Sequence, residues 1–255
     1  MKRLVIAIDG PAGAGKSSVT ARLAERLGYV RVDTGAMYRA VALAAMEAGI
    51  ALDEQETLGA FAEQLVEEGA LCFEVREGMA RSVRPPAPDC DTPMPPPSSR
   101  TRNAKGTTVQ LRGRDITADI RTPAVSLAAS AVARISRVRD ALLQLQRIQA
   151  AQGGVVLEGR DIGTVVFPNA DLKVFLTASS EVRARRRWAE LHAKGATVTF
   201  EETLADVKAR DEADEQREVA PLRRADDAVL VDSSELTEND VVLALCELAR
   251  EKEGA

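Results

Sequence analysis

Histidine is almost missing from this chain: His192 is the only one in 255 residues. A single imidazole excludes paired-histidine metal sites and argues against a Ser/His/Asp triad, so His192 reads as a solvated helix residue. Cysteine is scarce as well. Cys72, Cys90 and Cys246 are odd in number, widely spaced and free of any CxxC pattern, which suggests neither a disulfide framework nor a zinc site and fits a reducing cytoplasm. No apolar run approaches a membrane span, and Leu4 to Asp9 is too short for the core of a signal peptide; neither secretion nor membrane insertion is expected. An excess of positive charge is absent too. At a net charge of -5 the protein has no general field for non-specific nucleic-acid binding, so any anion site must be built locally.

What remains is a chain that is 45% hydrophobic, ample for a real core. Its basic residues are mostly arginine, whose planar fork suits phosphate and carboxylate, although codon usage explains such a bias equally well until positions are considered.

The first forty residues read as strand (Leu4 to Asp9), glycine-rich turn (Gly10 to Gly15), helix (Lys16 to Leu27, closed by Gly28) and strand (Tyr29 to Val32). Apolar runs at Val155 to Leu157, Leu172 to Leu176 and Val229 to Asp232 supply further buried strands between helical stretches. The pattern predicts an α/β fold with a parallel sheet flanked by helices. Leu71 to Val75 and Thr108 to Leu111 break that rhythm and predict a small inserted antiparallel domain. Within it, Arg84 to Gly106 is rich in proline and cannot bury a core, the composition of a mobile surface loop.

Gly10, Pro11, Ala12, Gly13, Ala14, Gly15, Lys16 and Ser17 match GxxxxGK(S/T), directly after a strand and directly before a helix. In such a loop backbone N–H groups wrap the phosphates, the helix N-terminus adds positive potential, Lys16 neutralises β and γ oxygens, and the Ser17 hydroxyl can ligate Mg2+. Binding of ATP with magnesium follows. The loop does not name the reaction, because switches, motors and small-molecule kinases share it.

Two charged strings also follow strands: Asp33 to Arg39 and Glu158 to Thr164, at the carboxyl ends where open α/β sheets bind ligands. The first could equally be a helix cap with Tyr38 in the core, and the second a structural ion pair. Arg183, Arg185, Arg186 and Arg187 crowd one helical stretch, either as an anion site or as a solvated face balanced by Glu181 and Glu190. Arg210, Asp214 and Arg217 share one face of a helix expected over Thr203 to Glu218, where an intrahelical ion pair explains them cheaply. Together these arginines suit the meeting of an ATP γ-phosphate with a second phosphate. Such an acceptor is already ionised near its second pKa of ~6 and needs no general base.

In order, GPAGAGKSS, DTGAMYR, IRTPAVSLAAS, GRDIGTVVFP and RDEADEQREVAPL resemble the bacterial cytidylate kinases, a family of P-loop nucleoside monophosphate kinases, over nearly the whole chain. The resemblance implies transfer of the ATP γ-phosphoryl group to CMP or dCMP in pyrimidine metabolism, by a cytoplasmic monomer with small-molecule partners only. It implies one kinase domain with a core over 1–56, 119–181 and 198–255, a monophosphate-binding insertion over 57–118 and a lid over 182–197. Gly10 to Ser18 correspond to the ATP loop. Arg39, Arg160 and Arg217 fall where the family holds the acceptor phosphate, flanked by Asp33 and Thr34. Arg210 and Asp214 match positions at the ribose and neighbouring phosphate, and Arg183 to Arg187 resemble lid arginines, Arg183 and Arg187 as catalytic candidates. Ser130, Arg139 and Asp161 surround the cytosine ring in the family pattern, and a carboxylate with an Arg or Ser donor complements an edge carrying an amino donor beside two acceptors. Two departures stand out: Thr34 where many members have Ser, and the proline-rich stretch, which has no counterpart in the compact family pattern. Kinases of other small acceptors and nucleotide-dependent switches remain as alternatives, the latter without the guanine-reading NKxD string.

Overall fold

The computed structural model describes residues 3–75, 107–193 and 195–254. The proline-rich stretch Arg84 to Gly106 lies outside the described residues. The chain begins β1 (Val5–Asp9), α1 (Lys16–Leu27), β2 (Val30–Asp33), α2 (Thr34–Glu47), α3 (Gln55–Glu67), β3 (Leu71–Val75), β4 (Thr107–Leu111) and β5 (Arg114–Asp115). It continues with α4 (Pro123–Val132), α5 (Ser136–Ala150), β6 (Val155–Gly159), β7 (Leu172–Thr177), α6 (Ser180–Ala193), α7 (Phe200–Glu215), β8 (Val229–Asp232) and α8 (Glu238–Gly254). These elements form two compact units, Met1–Tyr29 with Gly154–Ala255, and Val30–Gly153.

In the first unit β6, β1, β7 and β8 lie side by side in that order, all parallel, with Asp9 in register with Gly159 on one side and Phe175 on the other. Ile6, Ala7 and Ile8 of β1 and Val156 and Leu157 of β6 are buried at successive positions, as the inner strands of a parallel sheet require. Helix α1 packs on β6 and α8, and α8 on β7. It ends because Gly28 takes the left-handed conformation at φ 64°, which lets the Tyr29 N–H bond to Ala24 O at 2.8 Å.

Two expectations are corrected in this unit. The run Val229 to Asp232 forms a strand but not a buried one: among the described residues β8 pairs only with β7, and Leu230 is 51% exposed. Helix α7 also differs from the expected Thr203 to Glu218. It starts earlier because Thr199 and Glu202 form a reciprocal capping box, and it stops at Glu215. Beyond it Ala220, at φ 48°, turns the chain so that Leu222 N–H reaches Asp214 O at 2.8 Å. Arg217 is therefore off the helix.

The second unit opens with β2 and α2, and packs α2 against α4 and α3 against α5. Its β3, β4 and β5 form the expected antiparallel sheet, with Leu71 opposite Leu111. Arg112 and Gly113, at φ 50° and 80°, make the two-residue turn between β4 and β5 with both centres at positive φ, the twist that suits a tight hairpin. Leu58, Leu65, Ile116, Ile120 and Leu142 fill its core.

Candidate active site

The phosphate loop lies where β1 hands over to α1. Gly10 is dictated by space, since a Cβ there would stand 1.9 Å from Leu176 O on β7. Gly13 and Gly15 are dictated by conformation, at φ 77° and 90°. Lys16 folds back over the loop, its Nζ donating to Gly10 O at 2.6 Å and Pro11 O at 2.7 Å. Burial pushes its ammonium well below the usual lysine range and the Arg160 guanidinium adds to this, while Glu158, Asp9 and Asp214 oppose it. Ser17, one residue on, donates from Oγ to Glu158 Oε2 at 2.8 Å.

The string after β6 is held from several sides. Arg160 donates from Nε to Asp214 Oδ2 at 2.8 Å and from Nη1 to Gly159 O at 3.2 Å. The side chains of Arg217 and Asp161, 6% and 7% exposed, approach to 3.7 Å through Nη2 and Oδ1. Arg217 Nε also donates to Ala220 O, inside the turn that follows α7. Burial would raise the Asp214 carboxyl, yet the charges of Arg160, Arg210 and Arg217, together with the hydrogen bond from Arg160, hold it below the ordinary carboxylate range. Asp214 therefore pairs with Arg160 from another element, while Arg210 of its own helix adds its charge.

The arginines of α6 divide by environment. Arg183 is buried, forks both terminal nitrogens onto Asp211 of α7 at 2.9 and 2.6 Å, and donates to Ala178 O and to Ala12 O of the phosphate loop at 2.8 and 3.1 Å. Arg186 binds Ser233 through its hydroxyl at 3.1 Å and its carbonyl at 2.7 Å. Arg187 is exposed and meets Glu190 at 3.0 Å. The like-charge crowding of this helix is thus relieved for Arg183 by α7.

In the second unit Asp33 caps α2, accepting from Ala36 N at 3.1 Å on Oδ1 and from Arg39 Nη2 at 2.7 Å on Oδ2. Burial works to raise its carboxyl, but Arg39 and Arg31 with these two hydrogen bonds hold it below its ordinary value. Gly35 leaves room for the pair, since a Cβ there would stand 3.1 Å from Arg39 Nη1. Arg39 keeps a buried Nε without a hydrogen bond. Thr34 is buried on the first turn, and Tyr38 beside it is in the core, so the capping reading of this string is correct whatever else the string does. Arg139 on α5 places its guanidinium 5.5 Å from the Tyr38 ring centre and donates to Ala133 O at 3.2 Å. Ser130 on α4 turns its hydroxyl to Ser126 O at 3.4 Å.

The structure thus brings Lys16, Arg160, Asp161, Arg183, Asp214 and Arg217 onto one unit and Asp33, Thr34, Arg39, Ser130 and Arg139 onto the other. Sequence reading missed three supports: Asp9, Asp211 and Ser233. Asp9 could have been found, as a carboxylate ending a buried apolar strand beside the phosphate loop must be partnered. Asp211 and Ser233 carry no such signal, because their partners are distant in sequence.

A model described as cytidylate kinase matches residues 6–77 and 92–251. Of the proline-rich stretch, Arg84 to Asp91 fall in the gap between the matched segments, whereas 92–106 lies inside the second, which corrects the expectation that the whole stretch lacks a family counterpart. The chain is 48% identical over 252 residues to a cytidylate kinase of Geobacter sulfurreducens, covering 99% of this chain and 95% of that protein. It is 46% identical over 239 residues to one of Geobacter sp. strain M21, covering 94% and 89%. A third, from Syntrophotalea carbinolica, is 44% identical over 252 residues, covering 99% and 94%.

Proposed function

Because the chain belongs to the cytidylate kinase family, we propose that it transfers the γ-phosphoryl group of ATP to CMP or dCMP, releasing ADP with CDP or dCDP. The observation that carries this reading is the setting of Lys16: its buried Nζ bonds Gly10 O and Pro11 O of the loop, Ser17 beside it bonds Glu158, and Arg160, two residues beyond Glu158, is fixed by Asp214. Two phosphates repel as they approach, and fixed cations that need no reorganisation lower that barrier most effectively.

In this reading Gly10, Pro11, Ala12, Gly13, Ala14, Gly15, Lys16, Ser17 and Ser18 hold the ATP phosphates. Arg39, Arg160 and Arg217 hold the acceptor phosphate, Asp33 and Thr34 flank it, and Arg210 and Asp214 serve the ribose side. Ser130, Arg139 and Asp161 read cytosine. Arg183 and Arg187 supply charge at the transferred group, from a lid over 182–197, and the segment 57–118 serves as the acceptor-binding insertion. Both units carry acceptor residues. A base that reversed the donor and acceptor edge would leave Asp161 facing an oxygen, which costs about 1 to 3 kcal/mol and disfavours UMP.

Ser17 and Glu158 offer hard oxygen atoms beside the loop, the chemistry that Mg2+ takes, and Ser17 would hold the ion together with ATP phosphates. When bound, magnesium neutralises charge on the β- and γ-phosphates. The reaction belongs to the cytoplasm, the compartment of nucleotide pools, and the protein works as a monomer. A coupled ADP-release assay with Mg-ATP tests the reading by offering CMP, dCMP, UMP, AMP, GMP and shikimate against a no-acceptor control. Strong release with CMP and dCMP, weak with UMP and background elsewhere is expected; acceptor-independent release would sink it.

A further inference from the structure

Beyond its charge near Lys16, Asp9 holds a structural position at the junction of the chemistry above. It is the last residue of β1, is buried, and is followed at once by Gly10 of the phosphate loop. Its two carboxylate oxygens are both spent on one segment: Oδ1 accepts from Ile162 N at 2.8 Å and Oδ2 from Gly163 N at 2.7 Å. Those amides open the short π-helical turn Ile162–Val166, whose first N–H groups have no partner within the turn. Asp161, immediately before the turn, makes no capping bond of its own. Asp9 therefore caps this turn from a neighbouring strand.

The main chain of Asp9 also lies in register with Gly159, the last residue of β6. The same residue thus holds both ends of a short excursion, by ladder pairing at Gly159 and by its carboxylate at Ile162 and Gly163. Arg160 and Asp161 are the two residues carried between those ends. Gly163 is pressed against this support, since a Cβ there would stand 3.4 Å from Asp9 Oδ2 and 3.2 Å from the Lys173 side chain.

We propose that Asp9 is the positioning residue of the acceptor side: its carboxylate clamps the 162–163 backbone so that Arg160 meets the acceptor phosphate and Asp161 the base, in fixed relation to the adjoining phosphate loop. The inference rests on the reading of Arg160 and Asp161 given under the proposed function. An ionised carboxylate can accept both N–H groups, whereas an amide presents one oxygen and one NH2 and must leave one backbone donor unpaired. Misplacement of a reacting group by about 1 Å costs on the order of 10²-fold in rate.

The test is Asp9→Asn, with steady-state kinetics for each substrate and amide hydrogen exchange at Ile162 and Gly163. The expected result is a fall of about 10- to 100-fold in kcat/KM for CMP, with KM for ATP unchanged at saturating CMP and faster exchange at the two amides. Gly163→Ala provides an independent variant if Asp9→Asn does not fold, because it crowds the clamp from its other side while leaving the carboxylate in place. The same one-sided loss is expected of it, on a smaller scale. Equal losses toward ATP and CMP, or no loss toward CMP, in an otherwise active protein would overturn the role of Asp9. Absence of CMP turnover by the unmodified protein would instead overturn the functional reading, and the acceptor role of Asp9 with it.

Discussion

Arg160 at the end of β6 and Asp214 on α7 are joined by a charge-assisted bond from Nε to Oδ2 at 2.8 Å, across 54 residues of sequence. The bond uses Nε and leaves the terminal nitrogens for other partners, Nη1 donating to Gly159 O at 3.2 Å. Asp214 thus orients a guanidinium whose fork can meet a phosphate. Arg160→Ala is expected to lower kcat/KM for CMP by about 10²- to 10³-fold, the loss typical of a fixed charge at a transition state. Asp214→Asn should cost less, because the bond weakens while its geometry remains. Steady-state kinetics on both variants and on the double variant check this, and strict additivity would contradict the coupling.

Lys16 makes a second prediction. Its ammonium is held well below its usual range by burial and by Arg160, and bound nucleotide phosphate would favour the charged form. Any change in the protonation of Lys16 on ATP binding should then be an uptake and not a release, and Lys16→Ala should abolish it together with most of the turnover. Calorimetry in two buffers of different ionisation heat reads the proton count directly.

The acid limb of stability should carry the mark of Asp9. Its pKa is raised from 3.8 to about 6, chiefly by burial, against the two amide bonds from Gly163 and Ile162. A carboxyl whose folded pKa lies above its unfolded value contributes stability that is complete below about pH 4 and lost as pH rises through about 6. The whole contribution is roughly 3 kcal/mol, from about 1.4 kcal/mol per pKa unit. Denaturant unfolding between pH 4 and 7, compared with Asp9→Asn, should show a falling difference over that window; parallel curves would refute it.

Arg183 and Arg187 share a helix but should fail differently. Arg183→Ala leaves Asp211 without its buried partner and is expected to destabilise the fold by about 3 to 5 kcal/mol. Arg187→Ala removes an exposed contact with Glu190 and should change stability by less than about 0.5 kcal/mol. If Arg187 serves the transferred group, its loss lowers kcat with the melting temperature unchanged, a combination that thermal unfolding and kinetics separate.

Much of the architecture was legible in the chain because it is written in short range. The phosphate loop needs a strand, three glycines in special places and a helix in immediate succession, and all of these are adjacent residues. The antiparallel insertion announced itself by a change of rhythm at Leu71 to Val75 and Thr108 to Leu111. Less legible was the extent of α7, where a capping box at Thr199 added a turn and the left-handed Ala220 redirected the chain, taking Arg217 off the helix. The strand Val229 to Asp232 misled for another reason: β-branched composition marks a strand, but an apolar run does not reveal that the strand lies at an edge.

By itself, then, the sequence determined the glycine-rich loop between β1 and α1, the parallel strands around it and the types of side chain available for the chemistry, since each depends on neighbours a few residues apart. Only the tertiary structure decided which charges meet. Arg183 could have faced Arg187 or solvent, and it faces Asp211; Asp214 holds Arg160 across 54 residues of sequence; Asp9 could have been an ordinary strand end, and it caps a turn 153 residues away. Ion pairs and buried hydrogen bonds act over a few ångströms of space, and their energies depend on burial that the order of residues along the chain does not state.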